Sequence, residues 1–171
     1  YCTTSFNPMR AVVFDFAESR AGLHAREFLG LPGNHHDRGW HGKLVCDDYS
    51  GYKQLLAMGV TEAGCLAHAR RKFFDLWAGH QSPVAEEALG YFKLIYDIER
   101  DASELDIDAR ARLRKLRTQP VLDIFHAWLV LQRQKSTDGT AIAKAIDYSL
   151  KRWAALIRFA DDGQLPPDNN H

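Results

Sequence analysis

Apolar and polar positions change their rhythm once along this chain, near residue 64. Before that point "AVVFDF" (Ala11 to Phe16) and "GKLVC" (Gly42 to Cys46) are short β-branched and aromatic runs bounded by Gly, Asn and Pro, and they read as strands. "YCTTSF" at the start is a weaker third strand. Between the two better runs, "SRAGLHAREFLG" (Ser19 to Gly30) pairs an N-cap serine with apolar Leu23 and Phe28 and a closing Gly, which predicts a short helix. "SGYKQLLAMG" predicts another, and "VTEAGC" a last edge strand. The order β, β, α, β, α, β is a mixed α/β sheet.

From Cys65 onward the period moves toward 3.6. Leu66, Ala69, Phe73 and Leu76 share one helical face, as do Ala85, Leu89, Phe92 and Tyr96. Asp108 to Thr118 reads as a basic helix, and Pro120 stands where a new first turn would start. Val121, Phe125, Trp128 and Leu131 form the apolar stripe of that next helix. Ile142, Ile146, Leu150, Trp153 and Ile157 mark a final long one ending before "DDGQLPPDNNH". The expected organisation is a partial α/β core over 1–63, a helical bundle or insertion over 64–160, and a loop over 161–171.

Composition narrows the classes. With 171 residues, 46% of them hydrophobic and 26% charged, the chain is long enough for a packed core. The formal net charge is zero, so any affinity for nucleic acid has to come from local clusters. Cys2, Cys46 and Cys65 are an odd number without CxxC spacing, which speaks against a disulfide framework and for a reducing cytoplasm. No apolar run reaches the roughly 20 residues needed to span a bilayer. The start at Tyr1 without methionine suggests a piece of something longer.

Chemistry concentrates at "KLVCDDYSGY", where an apolar run ends in Asp47 and Asp48. A carboxylate at a strand end, joined by a second from elsewhere in the fold, can hold hard divalent cations. The plainer reading is a solvated Asx-type turn. In "AHARRKFFD", His68, Arg71 and Asp75 share a helical face, and Arg70, Arg71 and Lys72 form a basic cluster suited to phosphate contacts or to an ordinary exposed turn. Arg110, Arg112, Arg114, Lys115 and Arg117 wrap their helix and fit either solvent or a DNA backbone. His35, His36 and His41 with Cys46 match no common zinc spacing. Trp128 and Trp153 stand at core spacing.

Taken together, "LVCDDYSGY", "GCLAHARRKFFDL", "AIDYSLKRWAAL" and the ending "DNNH" resemble the central domain of the insertion sequence sixty-six family of transposases. The resemblance runs from about Ala11 to His171. It implies a ribonuclease-H-like fold in which Asp, Asp and Glu hold two Mg²⁺ (or Mn²⁺) ions for DNA strand cleavage and transfer. In that pattern Asp47 is the second catalytic aspartate and metal ligand, with Asp48 a turn residue and Asp48 and His68 accessory candidates. The resemblance also implies DNA contacts at Arg70, Arg71, Lys72, Asn169 and Asn170. The family's first aspartate would precede Tyr1 and its glutamate would follow His171, so tight metal binding and catalysis are not expected of this piece alone. Relatives commonly carry Glu where Leu23 stands. The expected partners are transposon ends, target DNA and further copies of the protein, in a bacterial cytoplasm and on the nucleoid. A catalytically silent remnant that binds DNA or a partner chain is the alternative, and an unpaired sheet edge is expected to favour self-association.

Overall fold

The computed structural model describes residues 22–29 and 40–169. The expected strands at Tyr1–Phe6 and Ala11–Phe16, the loop histidines His35 and His36, and Asn170 lie outside the described residues, as does the side chain of Leu23. Within them the protein is mixed α/β and mostly helical. Helix α1 (Gly22–Phe28) is followed by strand β1 (Lys43–Cys46), a 3-10 turn (Ser50–Tyr52), helix α2 (Lys53–Ala57) and strand β2 (Thr61–Gly64). The two strands are parallel, Lys43 opposite Thr61 and Cys46 opposite Gly64. A parallel pair needs a crossover, and α2 supplies it.

Both faces of this small sheet are covered. Leu44 and Cys46 point to one side, where Leu29, Leu55 and Val60 bury them. Val45 and Ala63 point to the other, into the large core built with the later helices. Period-two alternation on β1 therefore feeds two cores at once, which is why "LVC" is apolar throughout. The buried cluster runs without a break across residue 64, from Val45 through Cys65 to Phe92, Phe125 and Ile146.

Helix α3 (Leu66–His80) buries Leu66, Ala69 and Phe73 as its spacing predicts. A two-residue link, Gln81 in the left-handed conformation (φ 50°) and Ser82, turns the chain into α4 (Pro83–Asp101). Ser82 caps this helix by accepting from the Ala85 N–H, with Pro83 in the first turn. The buried stripe of α4 is Ala85, Ala88, Phe92, Ile95 and Ile98, rotated from the expected face. Leu89 and Tyr96 are half-buried at its edge. The rotation follows the partner: small Ala85 and Ala88 let α3 approach closely, and Ile95 and Ile98 fill the space beyond.

Helix α5 (Ile107–Leu113), capped by Asp106, runs through a π-helical turn (Arg114–Thr118) directly into α6 (Gln119–Lys135). The expected break at Pro120 is absorbed instead of ending the helix. Proline lacks the N–H that would bond four residues back, and the wide turn, closed by Gln119 N–H to the Arg114 carbonyl, accommodates that loss. In α6, Leu122, Phe125, Trp128 and Leu129 are buried, whereas Leu131, expected in the stripe, is 48% exposed. The expected last helix is two pieces, α7 (Ala141–Lys151) and α8 (Trp153–Leu156), broken at Arg152. A 3-10 turn (Arg158–Asp161) then leads to the closing segment.

The basic helix is the clearest correction. Arg114 is 1% exposed: its Nε and Nη2 grip both carboxylate oxygens of Glu99, and Nη1 donates to the carbonyls of Phe159, Asp162 and Leu165. Arg110 donates to the carbonyls of Ala102, Ser103, Leu105 and Gly163. Two of the five cations thus face inward and tie the closing segment to α4. Arg112, Lys115 and Arg117 are exposed, Arg117 beside Asp101.

Candidate functional site

Asp47 follows β1 directly, and Cys65 follows β2, so both stand at the carboxyl ends of parallel strands, where open α/β sheets place their ligands. The ladder persists one step further, with the Cys65 N–H donating to the Cys46 carbonyl. Of the two carboxylate oxygens of Asp47, Oδ1 accepts from the Tyr49 N–H at 3.1 Å, an Asx turn. Oδ2 faces His68 on α3, 3.9 Å from Nε2, longer than a hydrogen bond but within ion-pair reach of an imidazolium. The Asx turn occupies Oδ1, and Oδ2 is left facing His68. His68 Nδ1 is buried without a hydrogen-bond partner among the described residues.

Asp48 takes a different place. Its Oδ1 pairs with Arg152 Nη1 at 2.6 Å, while Nη2 of the same guanidinium bonds Glu62 on β2 at 2.6 Å and the Asp47 carbonyl at 3.4 Å. Arg152 leans over the Tyr148 ring and ties the ends of both strands to the α7–α8 break. Burial weakens its proton affinity, but the carboxylates, Glu62 first, more than reverse this and hold its pKa above the ordinary arginine value. Arg158 adds a bond to the Glu62 carbonyl. Nothing in "LKRWAAL" distinguished Arg152 from its neighbour Lys151 as a partner of the acidic turn. The signal was the break it caps, which helical periodicity overlooks.

The closing segment returns to the same end. Leu66 N–H donates to the Pro167 carbonyl, Cys65 Sγ lies 3.0 Å from Asn169 Oδ1, and Tyr96 donates to Asp168 Oδ2 at 2.6 Å. Burial, then the hydrogen bond and charge of Asp168, push the Tyr96 phenol far above its usual range, so it remains a proton donor. Asp47 thus meets His68 at the tip of β1, and Asn169 reaches Cys65 at the tip of β2 from a segment distant in sequence. Arg70 and Arg71 are exposed on the next turn of α3, Arg70 over the Phe74 ring, and Lys72 sits 4.3 Å from the centre of the Tyr148 ring. His41 is exposed and stands beside Gly59, before β2 begins. Among the described residues no three His, Cys, Asp or Glu side chains converge as a metal-ligand set. Asp47 offers one hard oxygen, which suits a ligand but does not build a metal site.

A family model described as "Transposase IS66 family" matches residues 1–171. The chain belongs to the IS66 transposase family. Two relatives, the uncharacterized proteins y4hP and y4jD of Sinorhizobium fredii (strain NBRC 101917 / NGR234), are 30% and 34% identical to it. Each match covers 94% of this chain and 31% of the relative, so the chain spans about a third of the length of these curated relatives. A third, y4qI of the same strain, is 33% identical over 79% of the chain. No solved structure matches. Of the stretches that carried the resemblance in the sequence, "CDDYSGY" forms the Asx turn, "AHARRKFFD" lies on α3, "SLKRWAAL" carries the Arg152 clamp, and Asp168 and Asn169 lie on the returning segment. No helix among the described residues is long and apolar enough to cross a membrane.

Proposed function

We propose that this chain is part of the ribonuclease-H-like core of a DNA transposase and that Asp47 is one of its metal-binding carboxylates. The observation that supports this reading most is the placement of Asp47 Oδ2 at the end of a doubly buried strand, facing His68. A strand held by two cores gives a carboxylate the positional precision that phosphoryl transfer demands. Asp47 would hold Mg²⁺ or Mn²⁺ together with carboxylates contributed by other parts of the parent protein. Bound metal would supply charge neutralisation at the scissile phosphate and a more nucleophilic hydroxyl. This chain's own residues orient the acid: the Tyr49 N–H fixes one oxygen, Arg152 holds the turn through the Asp47 carbonyl, and Asp48 is occupied in that clamp. Arg70, Arg71 and Lys72 on α3 would meet the DNA backbone and position it without reading sequence. The parent would act on transposon ends and target DNA as a self-associated complex on the nucleoid.

In the full-length protein, Asp47→Asn should lower cleavage and joining of an element-end oligonucleotide by about a hundredfold or more, the scale of losing several kcal/mol of charge stabilisation. Asp48→Asn, which weakens only one arm of the clamp, should retain activity within about tenfold. Undiminished cleavage by Asp47→Asn with native circular dichroism would refute the assignment. The same Asp47→Asn protein still binding element ends would separate a binding module from a catalytic one.

A further inference from the structure

Helices α3 and α4 are joined by only Gln81 and Ser82 and so run antiparallel, yet they leave a groove of about 660 Å³ between them. One end opens beside Asp168, next to the assembled site; the other lies at Phe74 and Trp77. The site end carries three cations, Arg70, Lys93 and Arg100, against the carboxylates of Asp97 and Asp168. Lys93 and Arg100 share Asp97, at 2.6 and 2.8 Å, which leaves one positive charge over at this end, while the third carboxylate of the lining, Glu86, lies at the far end beside Trp77; the Arg70 guanidinium stands over the Phe74 ring. Farther out, Phe74 (39% exposed) and Trp77 present two rings 5.8 Å apart on one wall.

The opposite wall holds Gly90 in the middle of α4. Glycine inside a helix weakens it, and here neither backbone nor packing asks for one: a Cβ at Gly90 would meet nothing within 4 Å. What the missing side chain does is leave the groove open. Cations nearest the site and aromatic faces beyond them follow the order needed by a strand leaving a reaction centre, phosphates first held and then unpaired bases stacked.

We propose that this groove receives unpaired nucleotides of a DNA strand leading away from the Asp47 end. The proposal rests on the transposase reading above and adds a site for single-stranded DNA to it. Gly90→Leu tests it cleanly, because leucine favours the helix and fills only the groove. Using the full-length protein, affinity is measured by fluorescence anisotropy for an element-end duplex with a short unpaired tail and for the same duplex with blunt ends. Gly90→Leu should weaken tailed-duplex binding about tenfold, the worth of one stacked base, and leave blunt-duplex binding and the melting temperature undiminished. Phe74→Cys should react with a maleimide in the free protein and be protected by the tailed duplex. Unchanged tailed-duplex affinity in Gly90→Leu overturns the proposal. So does a Phe74→Cys thiol already blocked before DNA is added, because a segment of the parent chain or a second copy then fills the groove. Failure of the wild-type protein to bind either duplex would sink the transposase reading beneath it, whereas equal loss on both duplexes would sink the groove alone.

Discussion

Replacing Arg114 by alanine removes the most connected buried side chain among the described residues. It strands the Glu99 carboxylate, whose side chain is 11% exposed, and leaves the carbonyls of Phe159, Asp162 and Leu165 without their donor. Breaking a buried ion pair by deleting one partner costs about 3–5 kcal/mol, because the remaining charge stays desolvated. The three carbonyls add to this, each by up to about 1–3 kcal/mol if water does not reach it. With water reaching most of these carbonyls at the loosened surface, they add about 1 kcal/mol together, and we expect a total near 4–6 kcal/mol, comparable to the whole stability of a marginal domain at about 5–15 kcal/mol. With a urea m-value of about 2 kcal/mol/M, the unfolding midpoint followed by circular dichroism should fall by about 2–3 M. The double replacement Arg114→Met with Glu99→Leu should recover part of the loss, since no unpaired charge remains. In Arg114→Ala the closing segment should also loosen from α3, and the buried Cys65 thiol, covered by Asn169, should react faster with a thiol reagent. A midpoint shift equivalent to less than about 1 kcal/mol would mean that the desolvation argument is wrong for this pair.

Three further outcomes follow from the same geometry. Gly163→Ala places a Cβ 1.9 Å from the Ile107 carbonyl oxygen, so it should cost about 1–3 kcal/mol or more in urea titration, and a neutral result would show that this approach is not rigid. For the carboxyl of Asp162, burial raises the pKa, but the Lys43 bond and the Gln164 N–H outweigh it and hold the group below its ordinary 3.8. A depressed carboxylate stabilises the fold above its unfolded pKa and loses that contribution as pH falls through the folded value. Stability should therefore decline below about pH 4 less steeply in Asp162→Asn than in wild type, and parallel profiles would contradict this. Arg152→Ala frees Asp48 and Glu62 together and should lower stability by about 1–3 kcal/mol, with Arg152→Lys recovering only part because one ammonium cannot reproduce the forked contact. Full recovery by lysine would argue against the geometry of the clamp.

Strands β1 and β2, the helix between them and the faces of α3 were legible because local pattern and tertiary burial agree there: "KLVC" and Leu66, Ala69, Phe73 do what their spacing says. Legibility failed where a long-range partner decided the matter. Arg110 and Arg114 read as surface charge, since Glu99 and the carbonyls of 159–165 lie far away in sequence and leave no periodic trace. Leu131 follows Trp128 at a helical interval but lies on the side of α6 away from Leu129, off the face that α7 covers, although α7 still reaches Arg133 farther along through Asp147. Pro120 is the one local sign of the π turn. At the candidate site, Asp47 was visible as an acid at a strand end, and the family motifs marked His68 and Asn169. The Arg152 clamp and the thiol contact of Cys65 with Asn169 were not, for they exist only once three distant segments meet.

The double burial of β1 bears on how such a protein can diversify. A strand with solvent on one side lets a neighbouring helical region be exchanged wholesale, whereas here the underside of the two-stranded sheet is also the roof of the helical core, through Val45 on β1, Ala63 on β2 and Cys65 just beyond it. Grafting the helices of a distant relative onto this sheet would unseat Asp47 unless those three contacts were matched as well. Sequence drift in the helices is therefore coupled to the chemistry at the strand tip, and chimeras should retain cleavage only when their junction leaves that shared surface from a single parent.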